Sequence, residues 1–344
     1  MWKTIGQPEA LALIKHSCRA GNLAHAYLLV GAPHIGKMTL ALDIARALNC
    51  EVKDAPCGEC QSCRRIFEGK HADIRVVSLN SVRDSADMKA RVEIGIDDIR
   101  DLQHNASLPP FEGKYKVFII DGAEYMSTEA ANCLLKTIEE PPPQVIILIL
   151  TAEESRLLPT VVSRCQRLEL KPMLAKEIEK ILTESYGVDA HKADLLARLS
   201  QGCLGCALTF SADNSYLSQR NQRLDEMIAL LTAGWQERFT HAAKLSSERR
   251  SAEDIIRLWL MWWRDVMLIK CRCKQSIINI DYIPVLEQWG ELLSLSEIRN
   301  FIDSLQRSLN QIALNANLRL IFEILMLDIP RKEKATEIAS VPIK

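Results

Sequence analysis

A stretch near the amino terminus has the residue spacing of a phosphate-binding loop. Gly31 is followed by four residues and then by Gly36 and Lys37, directly after the apolar run HAYLLV. In such loops backbone N–H groups hold the phosphates, the lysine contacts the β- and γ-oxygens, and the next hydroxyl ligates magnesium. Met38 stands at that hydroxyl position with a thioether, which magnesium does not bind, and Thr39 comes one residue late. The pattern predicts nucleotide binding without efficient hydrolysis, and the alternative is an ordinary strand-to-helix turn.

The second candidate is the acidic residue that ends the apolar run KVFIID. Asp121 is expected at the tip of a strand, where its carboxylate could hold magnesium through water. ATPases of this type usually follow that aspartate with a glutamate that orients the attacking water, but Gly122 follows here. Glu124 is close in sequence, although its geometry two residues further on would differ. The alternative is that Asp121 only caps the next helix.

Four cysteines have the spacing of a structural metal site. Cys50, Cys57, Cys60 and Cys63 supply enough thiolates for one closed tetrahedral zinc site. The alternatives are reduced cysteines on a helical surface or an iron–sulfur cluster, although nothing else in the sequence indicates redox work. His71 is near enough to substitute as a ligand, but an isolated histidine is more often a surface residue.

The tripeptide Ser163-Arg164-Cys165 supplies the fourth candidate. In an oligomeric ATPase, an arginine at a domain edge can reach a neighbour's γ-phosphate and accelerate hydrolysis by ~10³–10⁵. The residue types alone favour the simpler alternative, a surface salt bridge that contributes about 0–1 kcal/mol.

Strand-like runs alternate with helical patterns over the first half of the chain. The runs are HAYLLVG, IRVVSL, KVFIID and QVIILILT. This alternation predicts a parallel sheet covered on both faces, with ligands beyond the carboxyl ends of the strands. The runs then stop, so the predicted fold class is α/β followed by all-α. Within the helical part, the apolar stretch around Trp259 is predicted to be an interior helix, and Ser294 and Glu297 have capping-box spacing.

The overall composition limits the function. The 344 residues include 43 basic and 44 acidic residues, so the chain lacks the basic surface of a protein that grips nucleic acid alone. No run reaches the ~18 apolar residues of a membrane span, and the first residues lack the apolar segment of a secretory signal. Eleven cysteines, four of them clustered, fit a reduced cytoplasmic protein with a metal site.

Four stretches, taken in order, resemble one family. Subunits of the bacterial DNA polymerase III clamp loader carry segments similar to GQPEALALIKHSCRAGNLAHAYLLVGAPHIGK, NC…PCGECQSCRRI, KVFIIDGAEYMSTEAANCLLKTIEEPPP and LPTVVSRCQRLEL. Both the gamma/tau motor subunits and the delta-prime subunits have this arrangement. The resemblance covers roughly residues 5–175, and beyond 210 only the helical character and NLRLIFEILMLD support it.

The resemblance implies an AAA+ parallel-sheet module with a zinc insert, a small helical lid and a helical C-terminal collar domain. By position we expect the AAA+ module at 1–172 with its zinc insert at 50–63, the lid at 173–212, the collar at 213–332 and a flexible tail at 333–344. Structural Zn²⁺ and ATP are the implied cofactors. The loop from Gly31 to Met38 would hold nucleotide, Asp121 would be the acidic strand end, Thr151 the polar sensor and Arg164 the finger that acts on a neighbouring subunit.

Departures from the motor pattern separate the two kinds of subunit. A motor subunit has serine or threonine at position 38, glutamate at 122 and a lid arginine at 205, where this chain has Met38, Gly122 and Gly205. It also has glycine where His34 stands, whereas Arg164 is intact. The combination resembles the delta-prime class, which does not turn over ATP but completes a neighbour's active site.

The implied partners are the gamma/tau and delta subunits in a hetero-oligomer. The beta sliding clamp and primed DNA are reached through the complex, and no membrane is involved. The chain would then be a component of the DNA polymerase III holoenzyme without being a polymerase itself. Two other functions stay open: an active gamma/tau-like motor in which Glu124 or Thr39 compensates, and a zinc-bearing scaffold without a nucleotide role.

Overall fold

The computed structural model describes residues 1–52, 56–79, 93–213, 215–247, 251–314 and 316–331. They form two compact units. The first unit contains Met1–Leu174 together with Gly202–Cys206, and the second contains Ala175–Gln201 and the chain from Ala207 onward. The tail expected at 333–344 lies outside the described residues. Among the described helices, none combines the length and the hydropathy needed to cross a membrane.

The first unit is built on a five-stranded parallel sheet. Its strands are β1 (Ala26–Val30), β2 (Ile74–Val77), β3 (Lys116–Asp121), β4 (Val145–Thr151) and β5 (Gln166–Glu169). Its helices are α1 (Pro8–Ala20), α2 (Lys37–Asn49), α3 (Gln61–Phe67), α4 (Ile96–Ala106), α5 (Thr128–Glu139) and α6 (Pro159–Val162). The strand order is β2-β3-β4-β1-β5, and every neighbouring pair is parallel. The predicted α/β class is confirmed.

Both faces of the sheet are covered, because successive strand residues point to opposite sides. In β1, Tyr27 and Leu29 belong to an apolar core shared with α1 and α2, whereas Ala26 and Leu28 belong to a core shared with α4 and α5. Every residue of β4 is buried. The long apolar runs of the sequence are therefore the central strands of the sheet, as a doubly covered parallel sheet requires.

The carboxyl ends of three central strands meet at one edge of the sheet. The strand register pairs Val30 with Thr151 and Asp121 with Leu150. The backbone N–H of Gly31 donates to the carbonyl oxygen of Thr151 at 3.2 Å. The fold thus brings the phosphate loop, Asp121 and Thr151 to the same place, where ligands bind in open α/β sheets.

A buried carboxylate fixes the amino-terminal segment against α2. Asp43 accepts hydrogen bonds from the backbone N–H groups of Lys3 and Thr4 at 2.8 and 2.7 Å, and from the Thr4 hydroxyl at 2.7 Å. Its other oxygen pairs with Arg46 one turn further along the helix. Since α2 follows the phosphate loop directly, this network also orients the loop.

The second unit is entirely helical over its described residues. Its helices are α7 (Ala175–Tyr186), α8 (Ala190–Leu199), α10 (Tyr216–Leu230), α11 (Trp235–Ser247), α12 (Ala252–Lys270), α13 (Ile283–Leu292), α14 (Leu295–Ala313) and α15 (Leu318–Asp328), while α9 (Leu204–Ala212) begins in the first unit. The all-α class predicted for this half is confirmed.

Helix α12 forms the centre of the second unit. Trp259, Trp262 and Trp263 are at most 1% exposed. The Trp263 ring packs edge-on against Phe301 of α14 at 4.8 Å between ring centroids. The prediction of an interior helix is confirmed. The capping box is present as well, because Ser294 caps α14 and the Glu297 carboxylate accepts the Ser294 backbone N–H at 2.8 Å.

Candidate functional site

The phosphate loop runs from the end of β1 to the start of α2. Gly36 precedes the helix with φ 108° and ψ 16°, a left-handed conformation that glycine adopts without strain. A Cβ at Gly31 would lie 3.0 Å from the Leu170 carbonyl oxygen, so a side chain there would require its neighbours to shift by a few tenths of an ångström. His34 has φ 60°, although it is not a glycine. The loop therefore has a left-handed glycine directly before α2 and local backbone strain at His34.

Lys37 is folded back onto its own loop. Its Nζ donates to the carbonyl oxygens of Gly31 at 2.6 Å and Ala32 at 2.9 Å. Burial lowers the pKa of Lys37, and the negative charges of Glu124, Asp121 and Cys203 oppose that shift. A polyphosphate would replace the two carbonyls as the partner of the ammonium group. Lys37 thus lies against the loop, and its role in phosphate binding stays a prediction.

Asp121 ends β3 and faces the same lysine. Burial raises the pKa of its carboxyl, while the charge of Lys37 acts to lower it. The next residue, Gly122, has φ 77° and ψ 49°, and a Cβ there would lie 3.0 Å from Cδ2 of Tyr125. The backbone at this position is therefore of a kind that glutamate adopts only at a cost of about 1–2 kcal/mol.

Position 122 has no carboxylate, and Glu124 is the next acidic residue along the chain. Its Oε1 accepts the backbone N–H of Ala152 at 3.2 Å, just beyond β4. Its Oε2 is buried and has no hydrogen-bond partner among the described residues. It acts electrostatically on both Lys37 and Asp121. Sequence distance from Asp121 alone did not reveal that Glu124 returns to the site.

Thr151 and Gly205 complete the surroundings of the loop. The fully buried Thr151 ends β4, and its hydroxyl oxygen accepts the Glu153 backbone N–H at 3.1 Å. A Cβ at Gly205 would lie 2.5 Å from the His34 carbonyl oxygen. The backbone at Gly205 is thus pressed against the phosphate loop, and an arginine side chain does not fit there without a backbone shift.

Arg164 lies apart from the phosphate loop, after α6. Its Nε pairs with Glu139 Oε1 at 2.8 Å, and its NH1 donates to the Thr160 carbonyl oxygen at 3.0 Å. The side chain is 40% exposed. In this single chain the arginine makes the surface salt bridge that its chemistry alone favours, and it remains accessible from outside.

The four cysteines converge as their spacing predicted. The Sγ atoms of Cys50, Cys57, Cys60 and Cys63 all lie within 4.8 Å of one another. Two of the Sγ–Sγ distances are 4.0 Å, close to the ~3.8 Å edge of a tetrahedron with Zn–S bonds of ~2.3 Å. Backbone N–H groups of residues 57, 59, 60 and 63 point at the sulfurs from 3.3–3.4 Å. Such donors stabilise thiolates, so the cluster can hold a metal ion.

His71 is not part of that cluster. Its Nε2 lies 3.2 Å from the Ser62 hydroxyl, and its Nδ1 accepts the Asp73 backbone N–H at 3.2 Å. The residue is only 4% exposed, so the expectation of a surface histidine is wrong. Both ring nitrogens thus have local partners, which connect α3 to the residue just before β2.

The sequence-based predictions did not include two cysteines whose thiols lie close to the phosphate loop, Cys203 and Cys206. Cys203 and Cys206 flank Gly205, and Cys203 lies in the core beneath the phosphate loop. Their C-x-x-C spacing was the available signal.

Comparison with known proteins identifies relatives along the whole chain. A family profile described as "DNA polymerase III, delta subunit" matches residues 6–174. The delta′ subunit of DNA polymerase III from Bacillus subtilis is 28% identical over 339 residues, which cover 95% of this chain and 97% of that protein. The tau subunit from Escherichia coli is 33% identical over 214 residues, which cover 60% of this chain and 32% of tau. The chain thus spans about a third of that tau subunit and nearly all of the delta′ subunit.

Solved structures give weaker similarities. A gamma subunit-related protein from Thermotoga maritima aligns with 91% of this chain and 97% of its own, at 16% identity and a TM-score of 0.41. The RuvB Holliday junction branch migration motor of the same organism aligns with 60% of this chain and 61% of its own, at 20% identity and a TM-score of 0.41. The family assignment therefore rests on the sequence relatives. The chain belongs to the AAA+ clamp-loader family, which includes the delta′ and tau/gamma subunits of bacterial DNA polymerase III.

Proposed function

We propose that this chain is a delta-prime-type clamp-loader subunit, which does not hydrolyse ATP itself and presents Arg164 to ATP on a neighbouring motor subunit. The proposal rests on the residue types found at three positions that a motor subunit needs for hydrolysis. Met38, Gly122 and Gly205 provide no magnesium ligand, no water-orienting acid and no second sensor. At two of these positions the backbone itself disfavours the missing side chain.

The magnesium position supports this proposal. Met38 is the second residue of α2, where a hydroxyl would point back at the phosphates. Thr39 is displaced from it by about 100° around the helix axis, because an α-helix has 3.6 residues per turn. A thioether is a soft ligand and magnesium prefers oxygen, so the ion would lack one of its protein ligands here.

Nucleotide binding without turnover is compatible with the rest of the loop. Gly31, Gly36, Lys37 and Thr39 would surround the phosphates, with Asp121 and Thr151 at the adjacent strand ends. Binding would require Lys37 to exchange its two loop carbonyls for phosphate oxygens. Its ammonium group is already desolvated and held in place, which favours that exchange.

Arg164 has the accessibility that a finger for a neighbouring subunit needs. Both Arg164 and Glu139 are more than a third exposed, at 40% and 47%, so water screens their salt bridge. Breaking such a pair costs about 0–1 kcal/mol. A γ-phosphate with its higher charge can therefore displace Glu139, and the guanidinium group then stabilises the charge of the transition state.

The remaining parts of the proposal concern the metal, the layout and the partners. Four thiolates with no open position are the usual ligand set of structural zinc, which would act structurally at 50–63. We assign the AAA+ module to 1–172, the lid to 173–212 and the collar to 213–332. The partners would be gamma/tau and delta subunits, with the beta sliding clamp and primed DNA engaged through the complex in the cytoplasm.

ATP turnover tests this proposal directly. The zinc-replete chain is assayed alone and then with its motor partner, as wild type and as Arg164→Ala. We expect no turnover alone, and stimulation of the partner that Arg164→Ala abolishes. Arg156→Ala is the matched control, because Arg156 is another exposed arginine, 52% exposed, beside Glu153. Equal stimulation by wild type and Arg164→Ala would refute the proposed role of Arg164, provided that both proteins assemble with the partner.

A second candidate, an active motor, is favoured by one observation. The buried Oε2 of Glu124 has no hydrogen-bond partner among the described residues, and Glu124 acts electrostatically on Lys37 and Asp121, so it could orient a water molecule. Magnesium-dependent turnover by the isolated chain, abolished by both Lys37→Ala and Glu124→Gln, would establish this motor function. Absence of ATP binding by the wild-type chain, together with no effect of Arg164→Ala on the partner's turnover, would instead favour a zinc-bearing scaffold without a nucleotide role.

A further inference from the structure

A pair of cysteines outside the four-cysteine cluster lies beside the phosphate loop. Cys203 directly precedes α9, and Cys206 lies in the first turn of that helix. Cys203 is 6% exposed and packs in the same core as Leu40 and Ile44 of α2. Cys206 packs against that core from a partly exposed position. Neither thiol has a part in the function proposed above.

The two thiols contact each other, and one of them faces the lysine of the loop. The S–H of Cys206 donates a hydrogen bond to Cys203, and Cys203 interacts electrostatically with the Lys37 ammonium group. The hydrogen bond lowers the pKa of Cys203 to about 7, with help from the charge of Lys37 and against the effect of burial. The same bond raises the pKa of Cys206. Near neutral pH Cys203 is therefore partly ionised, whereas Cys206 keeps its proton.

The backbone between the cysteines is tied to the loop. Gly205 approaches His34 so closely that an added Cβ would lie 2.5 Å from its carbonyl oxygen. The start of a helix also favours a thiolate, because the positive end of the helix dipole lies there. The thiol pair therefore lies next to the loop that would bind phosphate.

We propose that Cys203 and Cys206 form a thiol–disulfide exchange site for low-molecular-weight disulfides, and that its oxidation removes the negative charge that faces Lys37. Cys206 reacts first because it is the more exposed. It passes its proton to Cys203, and its thiolate attacks one sulfur of the small disulfide, whose S–S bond breaks to release one small thiolate. Cys203 then loses its proton to solvent and attacks Sγ of Cys206, which expels the second small thiolate. Two protein thiols become one disulfide, and one small disulfide becomes two thiols.

Oxidised glutathione is the probe for the first test, applied to the zinc-replete full chain. Trypsin then releases the segment from Leu199 to Arg220, whose only cysteines are Cys203 and Cys206. We expect the wild-type segment to lose two hydrogens and to regain them with dithiothreitol. In Cys203→Ser the segment should stop at a glutathione adduct on Cys206. In Cys206→Ser the buried Cys203 should stay unmodified.

The exposed cysteines Cys271 and Cys273 provide the internal control. They have C-x-C spacing in place of C-x-x-C spacing, so any disulfide between them should form more slowly than the Cys203–Cys206 bond. A wild-type segment that keeps both thiols while Cys271 and Cys273 are oxidised would overturn the proposal. Equal adduct formation on both single variants would overturn the order of attack.

The second test measures the charge that Lys37 experiences. Loss of the neighbouring thiolate should lower the pKa of Lys37, so acetic anhydride at fixed pH should modify it faster in the oxidised protein. One unit charge at ~4 Å in water corresponds to about a fivefold change in the neutral fraction. Lys70, an exposed lysine, should react at the same rate in both states. An unchanged Lys37 rate after complete oxidation would refute the link to the loop, whether or not the chain binds nucleotide.

Discussion

Restoring the missing glutamate at position 122 should damage the protein and should not create an ATPase. Gly122 has φ 77°, and a Cβ there would lie 3.0 Å from the Tyr125 ring. The left-handed conformation costs a residue with a side chain about 1–2 kcal/mol, and displacement of the ring adds to this. We therefore expect Gly122→Glu to lower the free energy of unfolding by roughly 1–3 kcal/mol. For a unit of this size that corresponds to a fall in Tm of about 2–12 °C.

Matched variants separate the backbone penalty from the effect of the carboxylate. Gly122→Asn should cost less, because asparagine tolerates the left-handed region. Gly21→Glu, at φ 65° with nothing within 4 Å of an added Cβ, should show the conformational penalty without the contact. Thermal unfolding of all three variants gives the stabilities.

ATP turnover is then measured for Gly122→Glu in the Met38→Thr background, which also restores the magnesium ligand. We expect no turnover, because the backbone at 122 directs a side chain toward Tyr125 and position 205 still lacks an arginine. Magnesium-dependent turnover by this double variant, with wild-type stability, would refute our account of the inactive site.

Three further predictions concern interactions that stabilise the two units. Burial acts to raise the pKa of Asp73, but backbone N–H groups of residues 111–113 at 2.7–2.8 Å hold it below its usual value. Asp73→Asn should therefore cost roughly 2–4 kcal/mol at neutral pH, and this difference from wild type should disappear as the pH falls below about 4 in urea titrations. Chelation should release one metal ion and increase hydrogen exchange in α3, whereas Cys18→Ser should leave the metal content unchanged; full metal retention by Cys57→Ser would contradict the assignment of ligands. Arg238 is 1% exposed and donates to the carbonyls of residues 230, 326 and 329 at 3.0–3.1 Å, so Arg238→Met should lower the free energy of unfolding by about 1–3 kcal/mol. The exposed Arg257→Met is its control, and an equal loss in both variants would contradict a specific role for Arg238.

Features that depend on local residue order were predictable from the sequence. The strands β1, β3 and β4 follow from unbroken apolar runs, because central parallel strands are buried on both faces. The end of α5 before Pro141 follows from the chemistry of proline, and the cap of α14 follows from Ser294 and Glu297. The metal cluster was predictable for the same reason, since three of its four cysteines lie within seven residues.

Features that depend on distant residues were decided only by the tertiary structure. Glu124 bonds to Ala152, and Arg164 bonds to Glu139, through contacts that no local pattern encodes. Gly205 is far in sequence from His34, yet its missing side chain leaves the space that the loop backbone occupies. The sequence showed which motor residues are absent. The structure added that the backbone angle at 122 and the lack of space at 205 disfavour those side chains, because packing and φ angles arise only when separate segments meet.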